Sequence, residues 1–309
     1  MGVIRIVIVV ALFAVLLSMV RPAEIIAAFS KARIHFIVLA AVMMIPKILL
    51  QILRWNYLLG TLDPKPTFSA GIVSLFGGFF LGTVSPARTG ELVRGFWIPG
   101  HSRLSIASLT LVDKGFNHFM ILSAGLLALS FTVSGPVTFF FWGAEVILIL
   151  ITVSICRLKS FWERQLDRFF KKDTVEHALA AYDALSFRRF WTMFAYTLCM
   201  YLVFVTQYYV IILAFVDMPV AIAVKSLPVI FFIALVLPFS FGGFGIKEMT
   251  AVTLLSTYNF EGGPILSASL TQNFLTFLLP GIVGGIMIMR HRFPQSQEVP
   301  SSSAHNTLS

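Results

Sequence analysis

Ser85-Pro-Ala-Arg-Thr-Gly-Glu-Leu-Val-Arg94 sets two arginines and a glutamate directly after a glycine-rich apolar run, Ser74 to Thr83, that carries Gly77, Gly78 and Gly82. Charge at the centre of a spanning helix costs about 2.5–3.5 kcal/mol on insertion scales. Arg88, Glu91 and Arg94 therefore need partners or a polar interior. A later stretch, Pro238-Phe-Ser-Phe-Gly-Gly-Phe-Gly-Ile-Lys-Glu248, has the same character. Two polar, glycine-broken elements set in apolar sequence point to a transport site within a membrane.

The surrounding composition fits that reading. Of 309 residues, 58% are hydrophobic and 12% charged, with a mean hydropathy of +0.89. Average globular domains carry about 25% charged residues. The formal net charge is +9, and the basic residues cluster between apolar runs. That pattern fits cytoplasmic loops and an anionic lipid surface rather than nucleic acid. Cys156 and Cys199 sit in or beside apolar runs and form neither a disulfide framework nor a metal spacing.

A spanning helix needs about 20 mostly apolar residues. The sequence predicts an all-α polytopic membrane protein with about eight transmembrane helices, near 4–20, 34–57, 68–84, 104–132, 136–156, 189–216, 220–240 and 264–289. Two shorter segments, 86–99 and 244–259, are predicted as re-entrant or interfacial helices. Broken backbone at membrane depth is tolerated where protein buries it or it lines a wet cavity. The first run is read as an uncleaved span, because no small-residue cleavage site follows Arg21-Pro22. Residues 1–290 form one transmembrane domain, and 291–309 a disordered polar tail. Within the domain, 157–188 is basic, with Trp162, Leu166, Phe169 and Phe170 at helical spacing. It is predicted to be an amphipathic loop on the cytoplasmic face. Ser108-Leu-Thr110 and Ser269-Leu-Thr271 follow the two broken segments at similar distances, which suggests an internal repeat with the site between its halves.

Four polar groups are candidates for binding substrate. Arg88, Glu91 and Arg94 lie at i, i+3, i+6, and one carboxylate leaves two guanidinium groups with a net positive charge suited to phosphate. Asp113, Lys114, Asn117 and His118 stand in the middle of the 104–132 run, either as a neutralised structural cluster or as a cavity lining. Lys47, Gln51 and Arg54 share one helix face after Pro46. Arg54-Trp55 reads equally as an interfacial anchor, with the arginine snorkelling to the headgroups. Gly242, Gly243, Gly245, Lys247 and Glu248, with Gln272 and Asn273 in the last span, form the fourth group. A helix starting near Gly245 would offer N–H groups to an anion. No phosphate-binding loop, HExxH, CxxC pair or dinucleotide fingerprint occurs, so no cofactor and no metal is expected.

Arg54-Trp55, Pro86-x-Arg88-x-Gly90-Glu91-x-x-Arg94 and Gly242-Gly-x-Gly245-x-x-Glu248 together resemble the membrane region of lysylphosphatidylglycerol synthases and their stand-alone flippase-like relatives. The resemblance covers roughly residues 1–290. It implies a region that moves a modified phospholipid between leaflets, while a separate soluble domain in two-part members transfers the aminoacyl group. This chain is expected to lack that domain and so not to be an enzyme. Stand-alone relatives are associated with polyprenyl-linked and hopanoid lipids. One departure is Gln272-Asn273, where many relatives would carry an arginine.

The first functional expectation is a plasma-membrane, multi-pass lipid translocase. Its cationic interior would hold the headgroup phosphate of an anionic phospholipid or polyprenyl phosphate, with the chains left in the bilayer. A membrane-embedded transferase using Asp113, His118 or Glu91 as acid and base is an alternative. A non-catalytic partner of lipid-modifying or envelope-biosynthesis proteins is another.

Overall fold

A computed structural model describes residues 22–85, 88–133, 135–157, 187–237 and 245–290. The expectations for 4–20, for nearly all of the basic loop 157–188, for Gly242 and Gly243 and for the polar tail lie outside these residues. The described residues form helices and no strand. They include α1 (Pro22–Ser30), α2 (Ile34–Val42), α3 (Met44–Leu59), α4 (Phe68–Val84), α5 (Arg103–Thr132), α6 (Val137–Arg157), α7 (Phe187–Phe215), α8 (Val220–Val236), α9 (Ile246–Ser256), α10 (Gly262–Asn273) and α11 (Leu279–Arg290). A 3-10 segment, Thr89–Trp97, lies between α4 and α5, and a π segment, Phe274–Leu278, joins α10 to α11.

Among the described residues four runs are long and apolar enough to cross a membrane: Ile34–Leu59, Arg103–Thr132, Phe187–Phe215 and Gly262–Arg290. Three shorter apolar helices, Phe68–Thr83, Val137–Thr152 and Val220–Val236, accompany them. Many large apolar side chains face outward, among them Val38, Ile45, Phe139 and Leu202. In a polytopic protein such an exterior meets lipid.

Two of the long runs are interrupted where proline removes a donor. Pro46 cannot donate to the carbonyl of Val42, and the first run breaks at Met43 into α2 and α3. Pro280 cannot donate to the carbonyl of Thr276, and the last run widens there into the π segment.

The segment expected as a short helix over 86–99 is a 3-10 helix laid back along α4. Arg88 enters it in the left-handed region at φ 56°, and Ser85 Oγ accepts from Gly90 N at 2.7 Å. The glycines of α4 make the groove that receives it. A Cβ at Gly77 would stand 2.6 Å from the Trp97 ring, and one at Gly78 would stand 2.6 Å from Arg94 Nε. Arg88 stands just ahead of this helix and Val93 kinks it at φ −88° and ψ 17°, yet Arg88, Glu91 and Arg94 fall in one row, with Glu91 paired to both arginines.

The halves of the chain pack crosswise. The 3-10 segment rests on α4 and α5, and α9 rests on α8 and α10. Between the halves, α4 packs against α11 and α5 against α8. Each half therefore contributes a helix, a short broken element and a longer helix. This order of contacts parallels the repeat suggested by the sequence.

Candidate functional site

The row of charges on the 3-10 segment meets α3 and α5 in one connected ion-pair network. Glu91 is its hub. Its carboxylate takes Arg88 at 2.6 Å, Lys114 at 3.1 Å and Arg94 at 3.2 Å. Arg94 also reaches Asp113 Oδ2 at 3.3 Å, and Arg54 closes on Asp113 Oδ1 at 2.8 Å. Arg54 Nη1 donates to Asn117 Oδ1 at 2.8 Å and Thr197 Oγ1 at 3.0 Å. The Arg94 guanidinium lies over the Trp55 ring at 4.9 Å.

The network has a wet face and a dry one. A cavity of about 500 Å³ is lined by Lys47, Gln51, Arg88, Glu91, Lys114, Asn117 and His118, among others. Arg54, Arg94 and Asp113 lie behind this lining and are almost fully buried. Arg54 therefore does not snorkel to an interface. It is an interior cation held by Asp113, and Trp55 beside it is buried too. The reading of Arg54-Trp55 as an interfacial anchor is corrected on this point: the hydrogen-bond partners of the guanidinium are all inside the helix bundle.

Among the described residues the cavity wall carries three cations, Lys47, Arg88 and Lys114, against the single carboxylate of Glu91. Three of its polar atoms have no hydrogen-bond partner among the described residues: Lys47 Nζ, Tyr201 Oη and Thr276 Oγ1. Lys47 Nζ sits over the Phe204 ring at 4.9 Å, and the Arg88 guanidinium over the Phe277 ring at 4.4 Å. A buried polar group without a partner costs on the order of 1–3 kcal/mol. Apolar residues, among them Phe79, Met120, Ile121 and Leu235, complete it.

Of the fourth group, the described residues Gly245, Lys247, Glu248, Gln272 and Asn273 are not part of this cavity's lining. Gly245, at φ 117°, precedes α9, and its N–H donates to Glu248 Oε2 at 2.7 Å. Glu248 Oε1 accepts from Asn273 Nδ2 at 2.5 Å and pairs with Lys247 at 3.5 Å. Lys247 also donates to Asn273 Oδ1, and Tyr208 shares a hydrogen bond with Ser269. Gln272 is fully buried beside them. The N–H of Gly245, ahead of the first turn of α9, is thus engaged by the glutamate of its own helix. Asn273 serves Lys247 and Glu248 together, a neutral link where an arginine had been the expectation.

Tyr201, Phe204, Thr276 and Phe277 line the cavity and were not singled out from the sequence. The only local sign was a hydroxyl within an apolar run. Among the described residues no group of three His, Cys, Asp or Glu side chains could hold a metal ion.

A family model described as "Lysylphosphatidylglycerol synthase TM region" matches residues 2–284 of the chain. No curated protein matches it.

Proposed function

The chain belongs to the lysylphosphatidylglycerol synthase TM region family, and from that premise we propose that it translocates a lipid whose headgroup phosphate enters the cationic cavity. The observation that carries this reading is the excess of cation on the wall together with the unpartnered donors Lys47 Nζ, Tyr201 Oη and Thr276 Oγ1. A phosphate offers several acceptor oxygens and a charge that opposes the wall. Arg88 supplies a planar fork and Lys47 and Lys114 supply point charges. The apolar part of the wall and the lipid-facing exterior suit a substrate that keeps one end in hydrocarbon. Anionic phospholipids and polyprenyl phosphates share this chemistry.

The setting we propose is the plasma membrane, crossed by the four long runs and the three shorter apolar helices. Envelope-biosynthesis proteins are the natural neighbours of such a function. The transferase alternative draws no support from Asp113, which is clamped between Arg54 and Arg94 away from the cavity wall. The test is movement of a fluorescent phosphatidylglycerol between leaflets of vesicles that hold the purified protein. Faster movement than in protein-free vesicles, lowered by Arg88→Ala, is the expected result. Purified, folded protein that moves no anionic phospholipid and no polyprenyl phosphate would overturn it.

A further inference from the structure

A second, smaller hollow of about 220 Å³ lies between α5, α6 and α7. Its wall includes Phe119 and Leu122 from α5, Leu148 and Thr152 from α6, and Phe190 and Phe194 from α7. His118 lines both this hollow and the cationic cavity, so the two adjoin at its ring. The Thr152 hydroxyl is engaged with the carbonyl of Leu148 at 2.9 Å and leaves the wall apolar there. Its aromatic side is braced by contacts at 5.3 Å between Phe116 and Phe190, and at 5.7 Å between Trp191 and Phe194. Water in this hollow would find few polar partners beyond His118, and a buried water needs two to four. Among the described residues the hollow opens toward the exterior beside α6, whose Ile151 lines it and is 45% exposed, while Ile147 and Leu150 on the same helix are 58% and 61% exposed.

We propose that this hollow is an aliphatic-chain slot, which holds one chain of the same lipid whose phosphate lies in the larger cavity. The inference rests on the lipid-phosphate reading of that cavity and extends it: the chain is gripped by protein rather than left wholly in the bilayer. His118 marks the boundary, since it lines the cationic cavity on one side and the apolar hollow on the other. The slot makes recognition depend on chain length as well as on charge. A headgroup with a chain too short to pass His118 gains the electrostatic part of the binding and none of the apolar part.

Binding of dioleoyl phosphatidylglycerol and of short-chain dihexanoyl phosphatidylglycerol to the full chain in detergent separates these contributions. The wild type is expected to hold the long-chain lipid at least tenfold more tightly. Leu148→Trp and, separately, Thr152→Phe fill the slot, and each should bring the two affinities within about threefold while short-chain binding stays unchanged. A readout without any variant uses phosphatidylglycerol with a photoreactive diazirine at mid-chain. Label should concentrate on Leu148 and Thr152 over Ile147 and Leu150 on the outer face of the same helix. Equal affinity for the two lipids in the wild type, or label spread evenly over both faces of α6, would overturn the slot while leaving the phosphate cavity standing. Failure of both lipids to bind would overturn the phosphate reading and the slot with it.

Discussion

Arg54 Nη2 lies 2.8 Å from Asp113 Oδ1 in a dry layer behind the cavity wall, with the two side chains 0% and 3% exposed. Asp113 simultaneously faces Arg94. Two guanidinium groups from different elements, α3 and the 3-10 segment, thus converge on one carboxylate of α5. This ties the broken segment to the bundle and fixes the row that presents Arg88 and Glu91 to the cavity.

Asp113→Asn would keep the side-chain shape and remove the charge both arginines share. Leaving a buried ion without its partner costs about 3–5 kcal/mol, so a large drop in thermal unfolding temperature in detergent is expected. The double variant Arg54→Leu with Asp113→Leu should lose less than the sum of the single changes, since contacting residues are not additive. Additive losses would mean that the pair contributes no coupling.

Lys47 has the opposite balance. Its ammonium is buried and has no hydrogen-bond partner among the described residues, only the Phe204 face. Lys47→Met keeps the length and removes the unpaired charge, so thermal stability should hold or rise. Movement of phosphatidylglycerol in vesicles should fall about tenfold, the equivalent of ~1.4 kcal/mol of lost affinity. Unchanged movement would remove Lys47 from the substrate wall.

The two charged, glycine-broken segments and the polar patch at 113–118 were legible because charge in apolar sequence stands out. Their division of labour was not. Asp113 and Lys114 are sequence neighbours, yet a step of one residue turns a helix by about 100°. One therefore enters the dry layer and the other lines the cavity. Which face of α5 meets α3 depends on packing between helices far apart in sequence. The 3-10 form of 89–97 was also hidden, because the segment lies against α4 through close approaches from both sides: Gly77 and Gly78 on α4, and its own Gly90, whose added Cβ would stand 2.3 Å from the carbonyl oxygen of Leu81. Tyr201 and Phe277 read as ordinary apolar-span residues until the helices were brought together.

The crosswise packing of α4 and α11 depends on small residues at the contact. A Cβ at Gly284 would stand 2.1 Å from the carbonyl oxygen of Phe76, which is backbone and cannot step aside. Overpacking of this kind costs about 1–3 kcal/mol, so Gly284→Ala should lower the unfolding temperature. Gly143 in α6 is the contrast, with nothing within 4 Å of an added Cβ. There alanine improves helix propensity by about 0.8–1.0 kcal/mol relative to glycine, and Gly143→Ala should leave the protein as stable or more so. The same sign at both positions would contradict the close approach of α4 and α11.

Arg88 tests whether the wall recognises a phosphate by shape or by charge alone. Its guanidinium pairs with Glu91 at 2.6 Å and stands over the Phe277 ring at 4.4 Å. The stack orients the fork, and the ion pair holds its position without cancelling the three-to-one excess of cation on the wall. Lysine keeps the charge but has neither the planar fork nor the same stacking. Arg88→Lys should therefore slow phosphatidylglycerol movement while leaving the unfolding temperature near that of the wild type. Phe277→Leu should slow it in the same direction by freeing the guanidinium, because a partly desolvated cation–π contact contributes roughly 0.5–2 kcal/mol. Phe277→Tyr keeps the ring and should retain most of the movement. If Arg88→Lys moves lipid at the wild-type rate, charge alone suffices at this position and the stack on Phe277 serves packing rather than recognition.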